Sequence, residues 1–293
     1  MVKESPAISS NQVETESLAR VKEEHRAYLE RLMGRSFWNG NSVKALHNGD
    51  EIFPAMLKAI RASRRSIELL TFIYWKGQVA EEFAEALASK AREGVSVRVL
   101  LDAWGSFEMD KSLQHKMEQG GVDLGWFRPL KSHFGKSDNR THRKILVCDD
   151  EVGFTGGVGI ASEWEGNARN ADEWRDIHFE VKGPGVRGIS GAFWDNWLEM
   201  RATDMPSVNR PSNFKEHGSA AVQIIPSSAS DGGSNAAIIL LGLIRLANKR
   251  LDLITPYLVL DEVFLEALKS RSENGVETRL LIPGRYIDKR FEK

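Results

Sequence analysis

The residues that invite a chemical reading stand at the head of "THRKILVCDDEVGFTGG" (141–157). On a strand, positions i and i+2 share a face, so His142 and Lys144 point one way and Arg143 the other. An imidazole beside an ammonium suits phosphoryl chemistry. The neutral ring can attack phosphorus or move a proton, and the cation stabilises charge on phosphate oxygens. "ILVC" (145–148) is apolar on both faces, the pattern of a central buried strand, so the pair is anchored to a rigid element. Asp149 follows, and the chain turns through "DDEV" into "GFTGGVG". There Thr155 offers a hydroxyl, and Gly156 and Gly157 let backbone N–H groups come close to an anion.

Each feature alone is common; their spacing is what carries information. It runs His142-x-Lys144-x4-Asp149, with Gly156-Gly157 seven residues later. Other phosphate and metal patterns fail. Gly135-Lys136-Ser137 lacks the glycine a P-loop needs five residues earlier, where Leu130 stands. No G-x-G-x-x-G follows a strand, and no H-E-x-x-H or clustered ligand spacing points to a metal. His25, His47, His115, His133, His178 and His217 read as surface or satisfied core groups, with His178 the nearest downstream of the motif.

The rest of the chain must position that strand. It has 293 residues, 41% hydrophobic and 28% charged, enough for one large or two medium domains. A net charge of −1 supplies no global basic field, which weighs against a nucleic-acid partner. The single Cys148 excludes an intrachain disulfide and reads as a buried thiol. "MVKESPAISSNQ" has no apolar stretch of a signal peptide, and no run reaches the roughly 18 apolar residues of a membrane-crossing helix. The expected location is cytoplasmic, peripheral to a membrane.

Residues 12–33 have apolar positions at three- and four-residue spacing (Leu18, Val21, His25, Tyr28, Leu29, Leu32), which predicts an amphipathic helix. Its polar face mixes signs, so it reads as packed on the protein rather than on lipid. From residue 42 strands alternate with helices: "SIELLTFIYW", "VSVRVLLD", "VDLGWF" and "ILVC" as strands, with helices at 78–94, 108–121 and in "GPGVRGISGAFWDNWLEM". This predicts an α/β fold, a sheet covered by helices. "TDMPSVNRPSNFKEHGS" has the Pro, Ser and Asn content of a linker. Beyond it the chain starts again. Residues 59–102 and 243–283 align with one gap: Ile67-Glu68-Leu69 with Leu251-Asp252-Leu253, Thr71 with Thr255, Gly94-Val95 with Gly275-Val276 and Arg98 with Arg279. The repeat predicts two similar lobes. The same offset carries His142 to about position 323, beyond the last residue, so a second motif is not among these 293 residues.

With its spacing complete, the motif resembles the HxKxxxxD signature of the phospholipase D superfamily. "ALHNGDEIFPAMLKAI", "VRVLLDAWGS", "GFTGG", "WRDIHFEVKGPGV", "VQIIPS" and "LITPYLVLDEVFLEAL" are similar to bacterial cardiolipin synthases, in order from about residue 42 to the end. The resemblance implies a phospholipase D-like fold: a mixed β-sheet flanked by helices, one complete lobe (42–202), a linker (203–218) and the incomplete start of a second lobe (219–293), after an N-terminal extension (1–41). It also implies that two motifs meet in one cleft. One histidine attacks the phosphodiester to form a phosphohistidine, the other protonates the leaving alcohol, and no metal or other cofactor takes part. Carried over, His142 is one of those histidines and Lys144 binds phosphate. Asp149 is the motif's aspartate, more an orienter than a proton donor. Asp176 is the acid that hydrogen-bonds the motif histidine, and Thr155, Gly156 and Gly157 line the phosphate. The partners implied are a phospholipid at a membrane surface and the missing second lobe. Transfer to an alcohol is the first expectation. Hydrolysis of lipid or nucleic acid, or a non-catalytic phosphate-binding role, are the alternatives. Two departures stand out. Gly159 occupies the position where the family commonly has asparagine, and half of the acid–base pair is missing. The chain alone is therefore expected to be nearly inactive.

Overall fold

The computed structural model describes residues 10–129, 140–201, 215–227, 234–256, 258 and 261–282. His133, Gly135-Lys136-Ser137 and all but 215–218 of the expected linker lie outside the described residues. In chain order the elements are α1 (Ser10–Met33), β1 (Trp38–His47), α2 (Asn48–Ala62), β2 (Ser66–Thr71), α3 (Gln78–Arg92), β3 (Ser96–Asp102), α4 (Lys111–Gln119), β4 (Asp123–Phe127), β5 (Ile145–Cys148), β6 (Val152–Gly156), β7 (Ile177–Lys182), α5 (Val186–Met200), β8 (Ala220–Val222), α6 (Ser234–Leu246), β9 (Arg250–Ile254), α7 (Glu262–Glu273) and β10 (Glu277–Leu281). They form two compact units, Trp38–Gly233 and a second made of Met1–Phe37 with Ser234–Lys293.

The larger unit is a mixed eight-stranded sheet ordered β4-β3-β2-β5-β6-β7-β1-β8. β2, β3 and β4 run parallel, and every later neighbour is antiparallel. Apolar residues on both faces of β2, β3 and β5 require cover on both sides. One face carries α2, α3 and α4: Leu69, Leu101, Leu146 and Cys148 pack there with Ile52, Phe83, Leu87 and Met117. α5 covers the other, with Phe193 and Trp197 against Leu70, Leu100, Ile145 and Val147. The buried Glu68 of β2 ties α5 down by accepting from Ser190 Oγ and Trp194 Nε1, both at 2.9 Å. β1 begins at Trp38, four residues ahead of the expected lobe boundary, and passes straight into α2 at Asn48, whose φ of 55° makes the corner. Asn48 and Gly49 thus form the switch from strand to helix.

In the smaller unit α6-β9-α7-β10 repeats the order α2-β2-α3-β3. Both strand pairs are parallel. Gly94 and Gly275 each leave their helix with a left-handed φ, 88° and 81°, a conformation that disfavours side chains. The register pair Glu68–Arg98 recurs as Asp252–Arg279, here bonded twice at 2.6 and 2.9 Å. α1 packs on α6, where a Cβ on Gly242 would stand 2.6 Å from Leu32 Cδ2. This unit has a small core of Ile244, Ala267 and Leu268. Ile254 and Leu281 are exposed, whereas their repeat counterparts Leu70 and Leu100 are fully buried.

Candidate active site

Strand polarity gathers the candidate residues along one edge of the sheet. β5 runs against β2, so its start lies beside the end of β2. β6 runs against β5 and β7 against β6, which brings Gly156-Gly157 and Asp176–His178 to the same edge. Open α/β sheets bind ligands beyond the C-terminal ends of their parallel strands, here those of β2 and β3.

His142 is fixed through its neighbours. Asp102, fully buried at the end of β3, accepts from Thr141 N at 3.1 Å and from Trp104 N and Gly105 N at 2.9 and 3.0 Å. Arg143 turns to the other face, as the two-residue period requires, and donates to Ala192 O and Asn196 Oδ1 of α5. The His142 ring leans on Phe72, centroids 4.8 Å apart. Lys144 Nζ lies 3.1 Å from His142 Nδ1 and 3.4 Å from Nε2, and donates to the His142 carbonyl at 3.0 Å. The expected pair is therefore assembled within one lobe.

The surroundings tune both groups. Burial and then the Lys144 ammonium push His142 down to about 4. The residue is exposed, so water offsets part of the burial contribution, but the ring is neutral at pH 7 in either case. Lys144 is buried, and burial pushes it down to about 8, with Asp176 and Asp102 holding it up. It keeps its charge at neutral pH. Burial also raises the carboxyls of Asp102 and Asp176 above their ordinary range.

The other five expected site residues are each held by contacts of their own. Asp149 stands at the far end of β5 from His142, seven residues or about 23 Å of extended chain away at about 3.3 Å per residue. Its carboxylate accepts from Arg64 N, Arg65 N and Ser66 N at 2.9, 2.7 and 2.9 Å, pinning β5 to the start of β2. Asp176 accepts from Trp164 Nε1 at 3.0 Å and from Ile177 N at 2.7 Å, and not from His142. It acts on the pair through the charge of Lys144. Thr155 pairs with Ile145 and Phe179. Cross-strand partners share a face, so its side chain lies on the α5 side, away from Lys144. Gly157 donates its N–H to Ile177 O. A Cβ there would meet Asp176 Oδ1 at 2.3 Å, and one on Gly156 would meet His178 Nδ1 at 2.5 Å. Both glycines make room for the side chains of Asp176 and His178.

Gly159 has the same logic. A Cβ at that position would come within 2.8 Å of Ile73 and 2.9 Å of Trp164. Trp164 is the donor that holds Asp176. Gly159→Asn should therefore lower stability by about 1–3 kcal/mol through overpacking and raise no activity; a urea melt of the variant checks it.

Sequence reasoning missed Asp102, Phe72, Trp164 and Asn48. Asn48 Oδ1 accepts from Asp176 N at 3.1 Å, and Asn48 N donates to Asp176 O. Only the polar termination of the "VRVLLD" strand hinted at Asp102. His178, read as surface or satisfied core, is buried, and neither ring nitrogen has a hydrogen-bond partner among the described residues. Among those residues no group of three or more His, Cys, Asp or Glu side chains is placed to share a metal ion.

Comparison with known proteins settles the lineage. Residues 56–171 match the family model described as cardiolipin synthase, PLD-like domain. The chain is 33% identical over 277 residues to a cardiolipin synthase of Halalkalibacterium halodurans, covering 91% of this chain and 54% of that protein. It is 30% identical over 254 residues to cardiolipin synthase 1 of Bacillus anthracis, covering 83% and 50%. The chain belongs to the phospholipase D superfamily. Within it the sequence is cardiolipin synthase-like, and the chain spans about half the length of the curated relatives it matches. The fold is also that of a phosphatidylserine synthase from Haemophilus influenzae: TM-score 0.64 at 14% identity, over 88% of this chain and 66% of that one.

Proposed function

We propose that this lobe supplies one half of a metal-independent phospholipase D-type phosphatidyltransferase centre acting on phospholipid at a membrane surface. The observation that carries the reading is the His142–Lys144 pair, a neutral imidazole 3.1 Å from a buried ammonium. His142 attacks phosphorus with a ring lone pair. The P–O bond to the leaving alcohol breaks, and a second alcohol or water later displaces the histidine. Lys144 meets the negative charge on the phosphate oxygens. A depressed pKa suits a nucleophile and ill suits a group that must arrive protonated, so we assign His142 the nucleophilic role. The acid for the leaving alcohol then comes from a second motif. General acid catalysis contributes about 10²–10⁴-fold, and the 293 residues hold one HxKxxxxD. Among the described residues no helix is long and apolar enough to cross a membrane, which supports a peripheral mode of lipid access.

The test incubates the chain with phosphatidylglycerol vesicles and, separately, with an oligonucleotide. Slow release of glycerol from the lipid is expected, with a phosphatidyl adduct on the His142 peptide after rapid denaturation at neutral pH and the oligonucleotide intact. Cleavage of the oligonucleotide without lipid turnover overturns the reading.

A further inference from the structure

The packing around His178 has no explanation in the chemistry above. His178 is 1% exposed, and both of its ring nitrogens are unpartnered among the described residues. Burying a polar group without a partner costs on the order of 1–3 kcal/mol, so such a group calls for a ligand or a role.

Register shows where the ring points. Gly156 pairs with His178, and His178 with Leu46. One step beyond the Leu70–Ile145–Thr155 ladder, the row continues through Thr71, Lys144 and Gly156. Thr71, Lys144, Gly156 and His178 thus lie side by side across four strands. Gly156 contributes no side chain to this row, and the space its Cβ would take lies 2.5 Å from His178 Nδ1. A cavity of about 10 Å³ opens there, lined by Thr71, Lys144 and His178 with apolar walls from Met56 and Val158. That is about the space one water needs, and a buried water needs two to four polar partners.

Lys144 directs N–H groups to the carbonyl and the ring of His142, and an ammonium has three. Thr71 Oγ1 donates to Ile73 O at 3.0 Å and keeps its lone pairs. We propose that His178 is a positioning residue for Lys144, joined to it by a single buried water that accepts from the ammonium and donates to a ring nitrogen, with Thr71 Oγ1 as a further partner. The neutral ring offers that nitrogen as an acceptor, which fits the depression of His178 to about 3 by burial and then by Lys144. The groups that bear on the Lys144 charge are His142 ahead of β5, the Phe72 ring 5.4 Å from the ammonium, Asp102 on β3, and Asp176 and His178 around the start of β7. The bridge keeps the lysine charged and aimed while the phosphate competes for its other donors. The inference rests on the reading of Lys144 as the phosphate-binding lysine, but its test does not require turnover.

The experiment follows the Lys144 side-chain signals by NMR across pH 6–11 in the full chain. His178→Leu keeps the burial and removes the acceptor, so the Lys144 midpoint should fall by about one pH unit. His178→Gln, which carries an amide oxygen into the same space, should restore most of it. An unchanged midpoint in His178→Leu overturns the proposal. Should that variant not fold, the wild-type protein decides. Water-to-His178 cross-relaxation and a ring that stays neutral at pH 5 support the bridge, and a ring titrating near its ordinary 6.5 refutes it. Failure of phosphatidylglycerol turnover with a responsive Lys144 midpoint would count against the lipid reading alone.

Discussion

Replacing His142 by asparagine should reduce the slow turnover of phosphatidylglycerol proposed for the chain to background, a loss on the order of 10⁴-fold or more. The trapped His142 adduct should vanish with it. Asparagine keeps a polar side chain beside Phe72 and Lys144 and removes only the ring lone pair that attacks phosphorus, so circular dichroism and the unfolding midpoint should change little. His142 is exposed and its neighbours are tethered independently, Thr141 to Asp102 and Arg143 to α5. Retention of lipid turnover by the folded variant would remove the nucleophile from this lobe. The comparison with relatives about twice as long sets the scale: even the unaltered chain should run two to four orders of magnitude below an enzyme with both halves, by the usual worth of a general acid.

Asp149→Ala should have the largest effect on stability and the least on chemistry. Three backbone N–H groups of the Arg64–Ser66 turn converge on that carboxylate, and the residue sits at φ 57°. Alanine forfeits the charge-assisted bonds and tolerates the left-handed backbone less well than Asp or Asn. A loss of about 2–4 kcal/mol is expected, visible as a fall of about 5–15 °C in a thermal melt of a domain this size. Asp149→Asn keeps one acceptor oxygen and the backbone preference, so its loss should be about half. Below its melting point the alanine variant should form the His142 adduct at the wild-type rate. A catalytic role for Asp149 would show instead as a rate loss in a protein with a normal melt.

The HxKxxxxD spacing thus combines two roles that lie at opposite ends of one strand. His142 and Lys144 open onto the site edge, and Asp149 fastens the other end to β2. A motif read as a string does not distinguish them, because strand direction separates by a strand length what the sequence puts seven residues apart. Asp176 shows the converse. It was legible as an acid near the motif, but its hydrogen bonds go to Trp164 and Ile177, and a line of sequence carries no sign of which donor fills a carboxylate.

By itself the sequence determined what local pattern and repetition can encode. The period-two placement of His142 and Lys144, the two-sided apolar strands of a covered sheet and the duplication of strand–helix–strand all depend on near neighbours and composition. Tertiary structure decided what depends on register and on distant contacts. It put Thr155 on the α5 face, filled the space beside Gly159 with Ile73 and Trp164, and brought Asp102 under Thr141. It also laid Thr71, Lys144, Gly156 and His178 in one row. The physical reason is that a one-residue change of register turns a whole strand over, and packing partners more than a hundred residues apart are chosen by shape and burial instead of spacing.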